Sequence, residues 1–254
     1  MKRIESQQNS LVKHWKKLLS VRKERDKTGE FIIEGYHLVE EAIKQKENVL
    51  TIMISDSAKV PVNWDVDNVE MVEINDVIKK ELAETEHTQG IFAHCKQQTV
   101  EETEQFKWNR LLLIDAVQDP GNIGTMIRTA DAAGIDAVIL GKGSADAYNS
   151  KTLRSAQGSH FHIPVVKGDL HAWVDQLKDR QVLVFGTAFE NSTPFNNVKK
   201  GDAFALIVGN EGSGINPELL EKTDQNIIVP LLGHAESLNV AVATGILLYG
   251  LTLK

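Results

Sequence analysis

The chain has 254 residues, 42% hydrophobic and 25% charged, with a formal net charge of −7. This is an ordinary globular composition, enough for one large domain or two smaller ones with substantial cores. It excludes an internal disulfide and a multi-cysteine metal site, because Cys95 is the only cysteine, and no apolar run approaches the roughly 20 residues of a membrane span.

Met1-Lys-Arg-Ile-Glu-Ser-Gln-Gln has no apolar stretch after its basic pair. A secretory signal is therefore not expected, and a reducing, cytoplasmic setting is. The charge is unevenly spread. Of 28 Lys/Arg and 35 Asp/Glu, residues 1–30 hold nine and four, leaving 19 bases against 31 acids in the rest. A basic arm on an acidic body is one footprint of nucleic-acid binding; a solvated helical face is the plainer reading.

Leu11, Trp15, Leu18, Leu19 and Arg22 recur at helical spacing, which predicts one helix over residues 9–24. Phe31-Ile-Ile-Glu-Gly reads as a strand. Residues 36–45 read as a one-sided helix, with Leu38, Val39, Ala42 and Ile43 on its apolar face. Leu50–Ser55 and Val69–Val72 read as strands. Asn75 caps a helix over 76–84 with Val77, Ile78 and Leu82 on one side, and Gln89–Cys95 closes the set as a strand. This alternation predicts a small N-terminal α/β domain over 1–96. Residues 97–108 are polar and acidic, a linker by composition.

A second α/β domain over 109–254 starts with a strand, Arg110–Asp115. Asp119-Pro-Gly-Asn then opens a helix that runs to Ala133, and Gly134 ends it. Further strands are read at 137–140, 160–165, 181–186, 205–208 and 227–231, with helices at 150–156, 170–177 and 240–251. Strands that are apolar throughout and alternate with helices imply a mostly parallel sheet covered on both faces.

Open parallel sheets bind ligands at the carboxyl ends of their strands. Three such ends are glycine-rich or polar: Phe185-Gly-Thr187, Val208-Gly-Asn-Glu-Gly-Ser-Gly214 and Val229-Pro-Leu-Leu-Gly-His-Ala-Glu-Ser-Leu238. The glycine spacing fits neither the dinucleotide nor the phosphate-loop pattern. Arg128 lies opposite the apolar stripe of its helix (Ile123, Met126, Ile127, Ala130, Ala133), and an i,i+3 pair with Asp131 is the plain expectation. Asn122 and Ser237 stand where caps stand. Glu211 is an acid that nothing structural demands, and Asn239 sits one turn into an otherwise apolar helix. His160 and His162 share one face of their strand without a third ligand, so no metal site is expected.

These motifs resemble the SpoU (TrmH-type) RNA ribose 2′-O-methyltransferases of the SPOUT superfamily. The resemblance rests on Asp119–Arg128, Val208–Ile215 and Val229–Val240, in that order, and covers residues 110–254. The basic first helix, Lys16 to Lys27, and Phe31-Ile-Ile-Glu-Gly more loosely resemble the family's ribosomal-protein-like substrate-binding domain. The resemblance implies an α/β fold with a trefoil knot, a homodimer and S-adenosylmethionine as cofactor, with no metal and no membrane. It places cofactor contacts on Thr187, Gly209, Val229 and Leu238, and catalysis on Arg128 with Asn122, Glu211, Ser237 and Asn239. Arg128 acts across the dimer in this scheme. RNA contacts fall on Lys151 and Arg154 and on Arg22, Lys23 and Arg25. The implied substrate is ribosomal RNA, with transfer RNA the alternative, and Ser237-Leu-Asn239 favours ribose over base. A non-catalytic RNA-binding protein of this fold would be expected to lack Arg128, Glu211 or Asn239; all three are present. Leu231 and Leu232 depart from the family's usual methionine and small residue but stay apolar.

Overall fold

The computed structural model describes residues 1–45 and 48–253. In chain order the elements are β1 Lys2–Ile4, α1 Ser10–Ser20, α2 Arg22–Thr28, β2 Glu30–Glu34, α3 Tyr36–Lys44, β3 Val49–Ser55, β4 Glu70–Ile74, α4 Asp76–Leu82, β5 Ile91–Lys96 and α5 Glu102–Gln105. There follow β6 Arg110–Ile114, α6 Pro120–Ala132, β7 Ala137–Leu140, α7 Ser150–Ala156, β8 Val165–Lys167 and α8 Leu170–Asp179. The chain ends with β9 Leu183–Thr187, β10 Thr193–Pro194, β11 Phe204–Val208, α9 Pro217–Glu221, β12 Gln225–Ile228 and α10 Val240–Thr252.

The chain forms two compact units, Met1–Thr99 with Tyr148–Phe161, and Val100–Ala147 with His162–Lys254. The first holds a mixed sheet in the order β1-β4-β3-β5-β2, with β1, β4 and β3 parallel and β5 antiparallel to both its neighbours. Val12, Trp15 and Leu18 of α1 share a core with Ile32, Met53, Val72, Ile74, Ile78, Leu82 and Phe92. The excursion 148–161 belongs to this unit. Phe31 of β2 packs on Tyr148 and Phe161, with ring centroids 4.7 and 6.1 Å away. Ser150 Oγ bonds Glu84, and a carbonyl of Gln157 faces His37 Nε2.

The second unit holds a fully parallel sheet, β10-β12-β9-β11-β6-β7-β8. Its central strands are buried on both faces, as Leu111, Leu112 and Leu113 and every residue of β11 show. That is why they read as unbroken apolar runs. Trp108 and Trp173 stack 6.0 Å apart in its core, so the last linker position by composition is a core residue.

Some local expectations are corrected. The first helix is two, broken at Val21, whose extended backbone (φ −119°, ψ 106°) ends α1. In α4, Ile78 and Leu82 are buried but Val77 is half exposed, because it lies one helical step off their shared face. Residues 160–165 are not one strand. Ser159–Phe161 is a 3₁₀ turn and β8 starts only at Val165. His160 is buried and His162 exposed, so they share no face. The sequence reading also passed over β1, β10 and α9, although Asn216-Pro217 is a cap followed by proline at the first helical position.

Candidate functional site

Parallel pairing brings the three motif-bearing strand ends to one edge. Thr187 pairs with Ile227, Gly186 with Ile207 and Val208 with Ile114. Thr187, Gly209 and Val229 therefore leave neighbouring strands at the same carboxyl edge. The ladder ends there with Asp115 N–H donating to Val208 O at 2.8 Å. Peptide groups beyond it must find other partners, the condition for a backbone-lined ligand slot.

The loop after β11 is closed on itself by hydrogen bonds. Asn210 and Gly214 exchange backbone hydrogen bonds of 2.9 and 3.0 Å. Asn210 Oδ1 accepts from Gly212 N and Ser213 N, and its Nδ2 donates to Ala116 O at 2.8 Å. Sequence reasoning overlooked Asn210, although Asn two residues before Gly is an Asx-turn signal. Gly209 must be glycine because a Cβ there would stand 2.2 Å from the Gly214 carbonyl carbon.

This loop aims Glu211 at the start of α6. Asp119 caps that helix by accepting from Asn122 N at 3.0 Å. Glu211 Oε1 accepts from Asn122 Nδ2 at 3.0 Å, and its carboxylate also faces the Gln118 and Asp119 amides. The acid thus has a structural job that the sequence hid. Burial pushes its pKa up, but the Asn122 amide, its own backbone amide and those of Gln118 and Asp119 outweigh this and hold it below the usual carboxylate range.

Asn122 is the middle of a chain of three. Its Oδ1 accepts from Asn239 Nδ2 at 3.0 Å. Asn239 lies at the start of α10 and is its N-cap, accepting from Ala241 N and Val242 N. Ser237, which stood where a cap stands, is exposed in the preceding loop and outside this network. Behind the network α10 packs on α6: Thr244 Oγ1 reaches Met126 Sδ, and Tyr249 donates to Ala132 O. Leu238 is partly exposed, and Leu232 is 99% exposed, so its departure in size crowds nothing within the chain.

Arg128 projects from the exposed side of α6 and has no hydrogen-bond or ion-pair partner among the described residues. The expected pair with Asp131 does not form; Asp131 faces His162 Nδ1 at 2.9 Å.

The basic residues expected to touch RNA behave differently from one another. Arg22 and Lys23 are exposed on α2, Arg22 within 3.6 Å of Asp26. Lys151 and Arg154 lie on α7, in the same compact unit. Arg25 is corrected. It is only 3% exposed, and its guanidinium donates to the Leu18 and Leu19 carbonyls. Those are terminal carbonyls of α1 that the helix itself leaves unpaired, so Arg25 closes the α1–α2 corner and presents no face to a phosphate.

One group in the first unit has the spacing of metal ligands, His14, Glu30 and His94, which the sequence reading did not see. Glu30 Oε2 lies 2.7 Å from His14 Nε2 and 3.0 Å from His94 Nε2. Trp15 Nε1 donates to His94 Nδ1 at 3.4 Å, which makes Nε2 the protonated nitrogen pointing at Glu30. Burial lowers the His94 pKa, outweighing Glu30, so the imidazole stays neutral. This is a carboxylate between two N–H donors, and a metal on Nε2 would require the other tautomer and break the Trp15 bond.

The SpoU rRNA Methylase family model matches residues 109–249, and the MRM3-like substrate binding domain model matches residues 9–93. The chain is 53% identical to the 23S rRNA (guanosine(2553)-2′-O)-methyltransferase RlmP of Bacillus subtilis, over 99% of both chains. In structure it is similar to an AdoMet-bound rRNA methyltransferase from Sinorhizobium meliloti, with a TM-score of 0.85 and 27% identity over 98% of this chain and 96% of that one. It is also similar to the SpoU methyltransferase AviRb from Streptomyces viridochromogenes in complex with AdoMet. There the TM-score is 0.85, with 25% identity over 96% of this chain and 97% of that one.

Proposed function

The chain belongs to the SpoU rRNA methylase family, and from that premise we propose that it methylates a ribose 2′-hydroxyl of ribosomal RNA with S-adenosylmethionine as donor. The observation that carries this at the level of residues is the chain Glu211–Asn122–Asn239 at the start of α6, the helix from which Arg128 projects with no partner among the described residues. Side chains from three segments distant in sequence converge there, and the Asn122–Asn239 bond is additional to the capping that Asn239 supplies to α10.

The edge formed by Thr187, Gly209 and Val229 suits the cofactor, since it offers peptide groups past the ladder and apolar side chains at Val229, Leu231 and Leu238. When bound, the cofactor supplies an electrophilic methyl on a sulfonium and needs no metal. The chain must orient the hydroxyl and favour loss of its proton. A guanidinium keeps its own protons at ordinary pH. Arg128 is therefore assigned to hold the hydroxyl or its neighbouring phosphate and to stabilise negative charge on the attacking oxygen. Glu211 fixes Asn122, and Asn122 fixes Asn239. Ser237, exposed in the loop before α10, is assigned to the ribose by its place in the family motif.

The first unit is assigned to RNA binding, with Arg22, Lys23, Lys151 and Arg154 as phosphate contacts. A cut removing only residues 1–99 would strip Phe31 from Tyr148 and Phe161, so domain tests must replace 148–161 as well.

A homodimer is supported by α10. Its buried side holds Ala241, Thr244, Leu247, Leu248 and Leu251, yet Val242, Ile246 and Tyr249 leave an exposed apolar stripe at helical spacing. A second copy would cover it, and Arg128 would then reach the partner's cofactor. A trefoil knot belongs to the same reading, with α10 as its last segment.

The test is transfer of labelled methyl from S-adenosylmethionine to protein-free ribosomal RNA and to transfer RNA, followed by alkaline hydrolysis. A methylated ribose resists cleavage at its own linkage, because that cleavage uses the 2′-hydroxyl. Label on a base, or on transfer RNA alone, would overturn the assignment.

A further inference from the structure

Residues three apart on a helix are surface neighbours, and opposite charges there pair. Arg128 and Asp131 are so placed on α6, both with side chains reaching solvent. Left to themselves they would form an ion pair and tie up the guanidinium. Instead Asp131 Oδ2 lies 2.9 Å from His162 Nδ1. A carboxylate can only accept, so this ring nitrogen carries the proton in either charge state of the imidazole. The side chains of Asp131 and His162 are 28% and 40% exposed, so the contact is accessible yet formed. Arg128 keeps no partner among the described residues.

His162 comes from the segment just before β8, whereas Asp131 and Arg128 share one helix. The sequence brings the two potential partners of Asp131 together only through the fold. Nothing in the core requires the contact, since both groups lie at the surface of the second unit.

Given the role assigned to Arg128 above, we propose that His162 is a positioning residue for the methyl transfer: by engaging Asp131 it keeps that carboxylate from neutralising Arg128. The guanidinium then remains available for the ribose hydroxyl or its phosphate. His162 touches neither substrate nor cofactor in this role; it acts through Asp131.

The test uses the full chain, ribosomal RNA and labelled S-adenosylmethionine under single-turnover conditions. His162→Ala releases Asp131, and the rate is expected to fall about twofold to fivefold, the range an exposed ion pair supplies. Adding Asp131→Asn removes the competing charge, so His162→Ala/Asp131→Asn is expected to recover the rate. A contact that served only to brace the structure would not be rescued by losing its second half. Melting temperatures of both variants are measured to show that the recovery is not one of stability. A double variant as slow as His162→Ala, or a single variant with unchanged rate, overturns the proposal. Arg128→Ala is run alongside. If it keeps turnover, the assignment of Arg128 fails; if it loses turnover while His162→Ala does not, only the role of His162 fails.

Discussion

The α1–α2 corner and the α6–α10 pair each carry an arginine that a sequence reader would assign to RNA chemistry. Arg25 stands in the most basic stretch of the chain, yet it is buried against the Leu18 and Leu19 carbonyls. Arg128 stands in a helix with little other positive charge, yet it is exposed and has no partner among the described residues. The local density of positive charge therefore says less about an arginine's role than whether its donors are already spent. Guanidinium donors spent on buried backbone carbonyls stabilise a fold; the same donors left open are available to a ligand.

The sharpest way to break this contrast is Arg128→Ala. Turnover on ribosomal RNA should fall at least about 100-fold, as for loss of a group that stabilises a developing oxyanion. Calorimetric affinity for S-adenosylmethionine should change little. Retained turnover would place Arg128 among ordinary surface arginines.

Arg25→Ala should do the reverse. Removing a charged donor from buried carbonyls is expected to cost about 2–3 kcal/mol of stability, read as a lowered urea midpoint. RNA affinity, measured where the variant is still folded, should stay within about twofold. A variant that keeps its stability but loses RNA would return Arg25 to the binding surface.

Asn239 sits between the two extremes, since it both caps α10 and bonds Asn122. Asn239→Ala should lose about 1 kcal/mol from the cap and slow methyl transfer more than that loss explains. Asn239→Ser, which can cap but reaches less far, should restore the stability and not the rate. If both recover together, the bond to Asn122 has no part in turnover.

The smallest effect concerns pH. Hydrogen bonds hold Glu211 below the usual carboxylate range despite its burial. The folded state thus takes up this proton less readily than the unfolded chain. Its stabilising contribution is full above the ordinary glutamate pKa and fades as pH falls through the depressed folded value. Around neutrality stability should be flat with respect to Glu211, and the acid-side loss should shrink in Glu211→Gln. An unchanged acid limb in that variant would show that other groups set it.

Much of the fold was legible because periodicity reports burial. The all-apolar runs of β6, β7 and β11 announced a parallel sheet covered on both faces, and Asp119-Pro-Gly and Asn75 announced their helices. Features fixed by only two or three residues were not legible. The break at Val21, the 3₁₀ turn at Ser159–Phe161 and the short β1 and β10 leave no periodic trace. The site was half legible. Thr187, Gly209 and Val229 could be placed at strand ends from their positions alone. Glu211 and Asn239 looked unexplained because their partners lie 89 and 117 residues away.

By itself the sequence determined the elements, the carboxyl edge that bears the loops, and the family motifs that order them. Those properties follow from local spacing, which burial and capping impose on neighbouring residues. Only the tertiary structure decided who pairs with whom: Glu211 with Asn122, Asn122 with Asn239, Asp131 with His162 rather than Arg128, and Arg25 with carbonyls rather than phosphate. A hydrogen bond depends on where donor and acceptor finally stand, to within a few tenths of an ångström, and no local pattern carries that distance across a hundred residues of chain.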